Sequence, residues 1–264
     1  MEKQIIISVH NYKTAGSTFH SVIDRQFKRT EIINANLIGI ENTTQLLTAS
    51  TDAFKQQIKI IHGHFPFGWH KYFSQKHTYI SFLRNPIDRV VSDYYYNKKF
   101  NLGHNYPYAS RMSLEEYLMC DEILNVDNGQ TRFIAGDMET KYGDNSLFML
   151  DKAIQNIYTH FSFVGLTERF DESLLLANHT LSWNKLYYKS QNITEKKNTK
   201  LDNKVLELIQ ERNQLDVQLY NHVASNFDAA LQQIPFANGR MILQNASKRL
   251  YNTIHPLYKK IIKH

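Results

Sequence analysis

Residues 5–19 read IIISVHNYKTAGSTF, and this stretch decides the fold. The β-branched run at 5–9 predicts a buried strand, residues 10–17 form a polar loop, and the pattern over 18–28 predicts a helix. A strand that passes through a short loop into a helix is the repeating unit of α/β proteins with parallel sheets. We therefore expect an α/β fold.

Two later segments repeat the change from an apolar strand to a polar loop. Residues 59–61 predict a second strand that ends at the His-Gly-His sequence of residues 62–64, and residues 78–83 predict a third strand that ends at Arg84. Further elements are a fourth strand at 161–164 and helices at 87–98, 113–124, 147–158, 168–181 and 201–231. The alternation predicts three layers, with a central parallel sheet of four or five strands and helices on both faces.

The chain length and composition suit one domain rather than several. The chain has 264 residues, 42% of them hydrophobic and 21% charged, which is typical of globular proteins and argues against disorder. We assign residues 1–232 to this domain and residues 233–264 to a basic tail. The tail could form an amphipathic helix with peripheral membrane contact, but Pro256 is expected to interrupt it, which favours docking on the domain.

The charge and the N-terminus limit the partners and the compartment. The net charge of +6 favours anionic partners only mildly, and no segment is typical of nucleic-acid binding, so none is expected. The first ten residues predict a strand rather than a signal peptide. No run approaches the about 18 apolar residues that suggest a membrane span. We therefore expect a cytoplasmic protein.

The loop after the first strand has the composition of an anion site. Backbone N–H groups at a helix start bind oxyanions, Gly16 allows a close approach of the backbone, and Ser17 and Thr18 offer hydroxyl donors. Lys13 can offset charge on a leaving phosphate. Because Lys13 precedes Gly16, the loop differs from the Walker pattern. A plain strand–helix turn is the alternative.

The two other strand ends also carry groups suited to chemistry. Arg84 can bind a phosphate in bidentate fashion, and Ser92 lies under two turns along the following helix, where its hydroxyl can face the same phosphate. His62 and His64 follow the second strand, and a histidine can accept a proton near neutral pH. A metal site lacks an evident third ligand, and ordinary loop histidines are a further alternative.

These motifs resemble those of a known enzyme family. The sequence KTAGST at 13–18 resembles the 5′-phosphosulfate loop of sulfotransferases that use PAPS (3′-phosphoadenosine 5′-phosphosulfate), and residues 78–96 resemble their 3′-phosphate element. The order of HGH, strand, arginine and proline-initiated helix is similar to the uronosyl and heparan sulfate 2-O-sulfotransferases. The cysteines and membrane anchor common in the glycosaminoglycan enzymes are missing, which favours a bacterial-type carbohydrate sulfotransferase.

The resemblance implies a three-layer, P-loop-like sulfotransferase fold and a role for each matching residue. PAPS would be the co-substrate, without a metal, and a sulfuryl group would pass to an acceptor hydroxyl, expected on a carbohydrate. His64 would be the catalytic base and Lys13 the second catalytic residue. The residues implied in donor binding are Lys13, Thr14, Ala15, Gly16, Ser17, Thr18, Arg84, Ser92, Lys196, Lys197 and Thr199. Residues implied more weakly near the substrate are His62, Gln130 and Arg132.

Two other functions stay open from the sequence. A P-loop-type nucleotide kinase would use a similar fold, but it would need the Walker pattern that this loop lacks. A protein that keeps the nucleotide-binding fold without activity would bind the donor and not turn it over.

Overall fold

Five strands form one parallel sheet. The computed structural model describes residues 4–101, 104–189 and 201–261, with side chains described up to residue 253. The strands are β1 (Gln4–Val9), β2 (Ile32–Asn34), β3 (Ile60–Gly63), β4 (Lys76–Leu83) and β5 (Phe161–Leu166). They lie in the order β2-β3-β1-β4-β5, and every neighbouring pair is parallel. The α/β fold with a central parallel sheet, predicted from the sequence, is confirmed.

Helices surround this sheet. They are α1 (Gly16–Gln26), α2 (Ala35–Ile38), α3 (Ile40–Ala49), α4 (Asp52–Lys55), α5 (Pro86–Lys99), α6 (Tyr106–Ala109), α7 (Leu114–Met119), α8 (Gly129–Ala135), α9 (Leu147–His160), α10 (Phe170–Leu181), α11 (Asn203–Arg212), α12 (Gln214–Gln232) and α13 (Ala237–Ile261). Because helices cover the sheet, the central strand β1 is buried at every residue after Gln4. This explains its continuous apolar sequence, in place of an alternating one.

The strand order defines where a ligand can bind. From β1 the chain moves out to β2 at one side of the sheet, returns through β3, and then crosses to β4 and β5 on the other side. The direction of winding therefore reverses at β1. In open parallel sheets, the crevice beyond the carboxyl ends of the strands at such a reversal is the usual ligand site. The loops after β1, β3 and β4 all open there, and we call this side the carboxyl edge.

Two apolar cores stabilise the site from different sides. The larger core includes the sheet, with Ile5, Ile7 and Ile60 fully buried. The smaller core packs α5 against α6, α7 and α11, through residues such as Tyr94 and Tyr117. Burying side chains of this size stabilises each by about 1.5–3 kcal/mol relative to exposure. The smaller core fixes α5, the helix that follows β4 and carries Ser92.

The C-terminal helix α13 lies against α10. Lys248 Nζ is 2.9 Å from Asp171 Oδ2, and Gln244 Nε2 donates to the Asp171 carbonyl at 2.8 Å. The helix continues through Pro256 to Ile261, so the prediction that Pro256 interrupts it was wrong. In the part of the chain that the structure describes, no helix is long and apolar enough to cross a membrane.

Most elements agree with the sequence-based expectations, and the differences are local. Asn85 caps α5: its Oδ1 accepts the N–H groups of Ile87 and Asp88 at 3.1 and 3.2 Å. The helix predicted at 113–124 ends at Met119, because the backbone becomes extended at Cys120. The short helix α6 and the three-residue strand β2 were not predicted.

Candidate active site at the carboxyl edge

The loop after β1 is shaped to hold an anion. The backbone angle φ is positive at Lys13 (65°) and Ala15 (61°), but not at Thr14 or Gly16. Such alternation turns successive N–H groups toward a common centre, which forms an anion-binding concavity. Helix α1 begins directly afterwards at Gly16, and no side chain caps it. The dipole of α1 and its first N–H groups therefore add to the same positive potential.

Buried side chains hold this loop in place. Asn11 Nδ2 donates to Ser81 Oγ and to the Phe82 carbonyl, both at 3.1 Å, which ties the loop to β4. Thr14 Oγ1 donates to the Asn11 carbonyl at 2.8 Å. The Thr14 hydroxyl thus helps to fold the loop, and the donor-binding role that the resemblance implies for Thr14 stays a prediction. The positive φ angles are held by these bonds before any ligand arrives.

Gly16 is required for a reason that the sequence did not reveal. A Cβ atom at this position would overlap the imidazole ring of His10. The backbone conformation at Gly16 is ordinary, so strain is not the reason. The His10 ring lies where a side chain would be, and this lets the start of α1 approach the end of β1.

Lys13 and Arg84 bring two cations to this edge. The Lys13 Nζ lies 3.5 Å from the centroid of the Tyr96 ring, and the Arg84 Nη1 donates to the Lys13 carbonyl at 3.1 Å. The pKa of Lys13 is lowered to about 8: burial is the main cause, Asp93 opposes the shift, and the Arg84 charge adds to it. Burial also lowers the pKa of Arg84. A bound anion would reverse both effects, because it favours the charged forms.

The Gln130 side chain holds the backbone of Arg84 in place. Its N–H donates to Gln130 Oε1 at 2.8 Å, and its carbonyl accepts from Gln130 Nε2 at 3.0 Å. The fully buried Asp216 accepts the N–H groups of Gln130 and Thr131 at 3.2 and 2.7 Å, so its carboxylate holds the start of α8. Gln130 was predicted near the substrate, and the structure shows that it acts on the Arg84 backbone.

Ser92 lies on α5 with only 5% of its surface exposed. Within the described residues, its Oγ atom has no hydrogen-bond partner. A buried hydroxyl without a partner is costly, by roughly 1–3 kcal/mol. A polar ligand at this position would remove that cost.

His64 follows β3 and is held from several directions. Its Nδ1 lies 2.7 Å from the His10 carbonyl, and its backbone N–H donates to Asn36 Oδ1 at 2.7 Å. Because a carbonyl can only accept, Nδ1 carries the hydrogen and Nε2 is the basic nitrogen. Burial lowers the pKa of His64 to about 4; the His10 carbonyl opposes this and the Lys13 charge adds to it. The ring is therefore neutral at pH 7, as a proton acceptor must be.

Comparison with known proteins decides the family. Residues 2–263 match the galactose-3-O-sulfotransferase family. The chain belongs to this family. It is also 26% identical over 160 residues to a protein of Drosophila melanogaster named heparin sulfate O-sulfotransferase. That alignment covers 56% of this chain and 45% of the relative, so the chain spans less than half of the relative's length.

The family membership confirms the predicted resemblance as far as the class of carbohydrate sulfotransferases. It does not favour the nucleotide-kinase alternative. A sulfotransferase needs a sulfate donor, and the two cations and the loop at the carboxyl edge fit an anionic donor of this kind.

His62 lies beneath the site and is fully buried. Its ring centroid is 4.1 Å from that of His20, and neither ring nitrogen has a hydrogen-bond partner among the described residues. Burial lowers the pKa of His62 to about 4 and that of His20 to about 3. Across residues 4–101, 104–189 and 201–261, no three His, Cys, Asp or Glu residues are grouped to hold a metal ion.

The remaining predicted residues fall into three groups. Arg132 is fully buried and pairs with Asp127 at 2.5 Å, and it also donates to the Thr140 and Lys141 carbonyls. These contacts inside the protein give Arg132 a structural role, and its predicted place near the substrate stays a prediction. Ser17 is exposed at the first turn of α1 and Thr18 is buried one residue later. Lys196, Lys197 and Thr199 lie outside the described residues.

Sequence reasoning missed several residues that shape the site. Asn11 anchors the loop, His10 determines the need for Gly16, and Tyr12 stacks on His64 with a centroid distance of 4.1 Å. Tyr12 and Asn11 lie inside the quoted motif, but only the fold shows which side chains they meet.

Proposed function

We propose that this protein transfers a sulfuryl group from PAPS to a hydroxyl of a carbohydrate and releases adenosine 3′,5′-bisphosphate. One observation carries the proposal: two separate anion-binding features meet on the neighbouring strands β1 and β4. The hydrogen bond from Arg84 Nη1 to the Lys13 carbonyl, 3.1 Å long, joins them. A nucleotide that carries phosphate at both its 5′ and its 3′ position needs two such features at a fixed separation.

The donor-binding roles follow from the contacts. The loop with Lys13 and Gly16 would hold the 5′-phosphosulfate through its backbone N–H groups. Arg84 and Ser92 would hold the 3′-phosphate, and this accounts for the buried Ser92 hydroxyl that lacks a partner. Gln130 fixes the backbone of Arg84, which keeps the two anion sites in register.

In the proposed transfer, the acceptor hydroxyl oxygen attacks sulfur as the bond between sulfur and the phosphate oxygen breaks. The electron pair of that bond stays on the phosphate, where the Lys13 ammonium offsets the growing negative charge. The hydroxyl proton passes to Nε2 of His64. A pKa of about 4 makes His64 a weak base in the free enzyme. The bound anionic donor would raise this pKa toward neutrality.

The acceptor class rests on the family and on the relative. The family description names galactose 3-O-sulfation, and the Drosophila relative is named for heparin sulfate. We therefore propose a carbohydrate hydroxyl as the acceptor. The cytoplasmic location and the bacterial type stay predictions.

Two measurements test the proposal. Transfer of labelled sulfate from PAPS to a panel of galactosides and uronic-acid oligosaccharides should give sulfated product and adenosine 3′,5′-bisphosphate. In calorimetry, adenosine 3′,5′-bisphosphate should bind more tightly than 5′-AMP by about 2–5 kcal/mol, because 5′-AMP leaves Arg84 without its partner. Arg84→Ala should remove most of this difference.

The two measurements separate the possible failures. Equal affinities for the two nucleotides in the unmodified protein would contradict the 3′-phosphate site. Tight binding of PAPS without transfer to any acceptor would favour a nucleotide-binding protein without activity.

A further inference from the structure

The imidazole of His64 lies between two other rings. The His10 ring is stacked on it with centroids 4.0 Å apart and planes 24° apart. The Tyr12 ring is stacked on it at 4.1 Å with planes only 6° apart. Tyr12 is in turn supported by Phe133, whose ring meets it edge-on at 5.7 Å. The three parallel rings form a stack, with Tyr12 held in place on the outside of it.

The hydrogen bonds of His64 leave the tilt of its ring plane free, and the stacked rings limit this tilt. Asn36 Oδ1 fixes the backbone N–H of His64, and the His10 carbonyl fixes Nδ1. A single bond to Nδ1 still permits the ring plane to tilt about that contact. Rings above and below oppose this tilt, because stacked aromatic contacts are worth about 0.5–1.5 kcal/mol each beyond their buried area.

We propose that Tyr12 is a positioning residue for sulfuryl transfer: its ring holds the His64 imidazole in the plane in which Nε2 meets the acceptor hydroxyl. This inference rests on the proposed function, in which His64 is the base. The phenol ring, rather than the hydroxyl, performs the role, since stacking needs only a flat face. A small misplacement of a reacting group can cost up to about 100-fold in rate.

Tyr12 also determines how much water reaches His64. The charged or titratable groups around the His64 ring are Lys13, whose charge lowers its pKa, and the imidazoles of His10, His20 and His62, whose own pKa values are lowered by a charge on His64. Tyr12 stays neutral, because burial and Asp93 raise its pKa. Removing the Tyr12 ring would hydrate one face of His64, so the His64 pKa would rise toward its usual value of about 6.5.

The experiment compares Tyr12→Phe with Tyr12→Leu and Tyr12→Met. Tyr12→Phe should keep kcat within about twofold, whereas the other two should lower kcat about tenfold. They should also move the acidic limb of the kcat/KM profile to higher pH, by about one unit or more. Affinity for adenosine 3′,5′-bisphosphate should stay unchanged. A merely structural residue would not move the acidic limb.

Tyr158 provides a matched control. It forms a second tyrosine–histidine pair, with His222, on the exposed surface of α9 and α12, where the centroids are 5.6 Å apart. Tyr158→Leu should change neither kcat nor the pH profile.

The outcomes separate this inference from the function on which it rests. If His64→Ala is inactive but Tyr12→Leu and Tyr12→Met keep normal kcat and an unmoved acidic limb, the positioning role is overturned and the function stands. If His64→Ala keeps normal turnover, the assignment of the base fails first. If neither Tyr12→Leu nor Tyr12→Met unfolds cooperatively, Tyr12 is a folding residue, and this too overturns the proposal.

Discussion

Two histidine clusters lie at opposite ends of the same sheet. The carboxyl-edge cluster contains His10, His20, His62 and His64, with neighbouring ring centroids 4.0–4.8 Å apart. The amino-edge cluster contains His70, His77 and His160 near the starts of β4 and β5, with centroids 4.6–5.7 Å apart. The amino-edge rings are all stacked, whereas the carboxyl-edge cluster has one stacked pair, one edge-on pair and one tilted pair. Residue type alone therefore does not distinguish the two clusters.

The two clusters differ in burial and in which ring nitrogen of the histidine carries the hydrogen. Burial lowers the pKa of His64 to about 4, whereas His70 in the amino-edge cluster is only half-buried and its pKa is lowered less. His64 Nδ1 faces a carbonyl and therefore carries the hydrogen. His70 Nδ1 lies 2.9 Å from the Tyr79 hydroxyl, whose oxygen already accepts the N–H groups of Gly68 and His70, so His70 Nδ1 accepts the hydroxyl hydrogen. Proximity to the Lys13 loop, deeper burial and a hydrogen on Nδ1 that leaves Nε2 basic make the carboxyl-edge cluster suited to catalysis.

The largest expected effect tests this difference directly. His64→Ala should reduce turnover by about 10²–10⁴-fold, the usual contribution of a general base. Affinity for adenosine 3′,5′-bisphosphate should stay nearly unchanged, because His64 would act on the acceptor. His70→Ala should leave turnover within about twofold. Steady-state kinetics with calorimetry checks both. Similar losses from the two variants would show that the clusters do not differ in function.

The next effect concerns the lysine beside each cluster. Lys13→Ala should lower turnover by about 10²–10³-fold, because its charge stabilises the leaving phosphate, and should lower nucleotide affinity much less. Lys71 is the matched control, since its Nζ lies 5.3 Å from the centroid of the Tyr72 ring and it neighbours His70. Lys71→Ala should have no effect on turnover. A Lys13→Ala variant with normal turnover would remove Lys13 from the mechanism.

A third test compares two buried amides, one at each end of the sheet. Gln130→Ala should weaken binding of adenosine 3′,5′-bisphosphate by about tenfold. The reason is that the Arg84 backbone loses its two hydrogen bonds to the Gln130 side chain, each worth about 0.5–1.5 kcal/mol. Asn156, one turn before His160, donates to the Ile134 carbonyl at 2.9 Å. Asn156→Ala should lower thermal stability without changing nucleotide affinity. Calorimetry and thermal unfolding of both variants check this, and equal losses of affinity would contradict it.

The smallest effect is on stability at low pH. The pKa of His62 is about 4 in the folded protein and about 6.5 when unfolded. The unfolded state therefore binds more protons between these values, so stability is complete above pH 6.5 and falls as the pH approaches 4. His62→Phe should reduce the loss of Tm between pH 7.5 and pH 5 by about 4 °C.

His77→Phe is the control for this titration. The pKa of His77 is also lowered by burial, but its ring is more exposed, so its replacement should reduce the acid loss less. Thermal unfolding at pH 7.5 and pH 5 gives the loss of Tm for each variant. If His77→Phe reduced the acid loss of Tm more than His62→Phe, the expected difference in burial between the two clusters would be contradicted.

The motifs predicted the placement of residues well where the ends of strands determined it. Residues after β1, β3 and β4 had to meet, because parallel strands end at one edge, and His64 and Arg84 lie there as expected. The three residues of β2 are too few to show a pattern. The stacking of Tyr12 on His64 joins positions 52 residues apart (64 − 12) and depends on the fold. The pairing of Arg132 with Asp127 is local, but the sequence alone gave no reason to prefer it to a ligand.

The packing of His10 against Gly16 also has a consequence for how related sequences can diverge. As long as a ring occupies position 10, any side chain at position 16 would overlap it. A change at position 16 therefore becomes tolerable only after position 10 has become small. In an alignment of relatives, the two positions should covary: glycine at 16 wherever 10 is aromatic, and larger residues at 16 only where 10 is small. The order of such changes in a lineage is then constrained as well, with position 10 changing first.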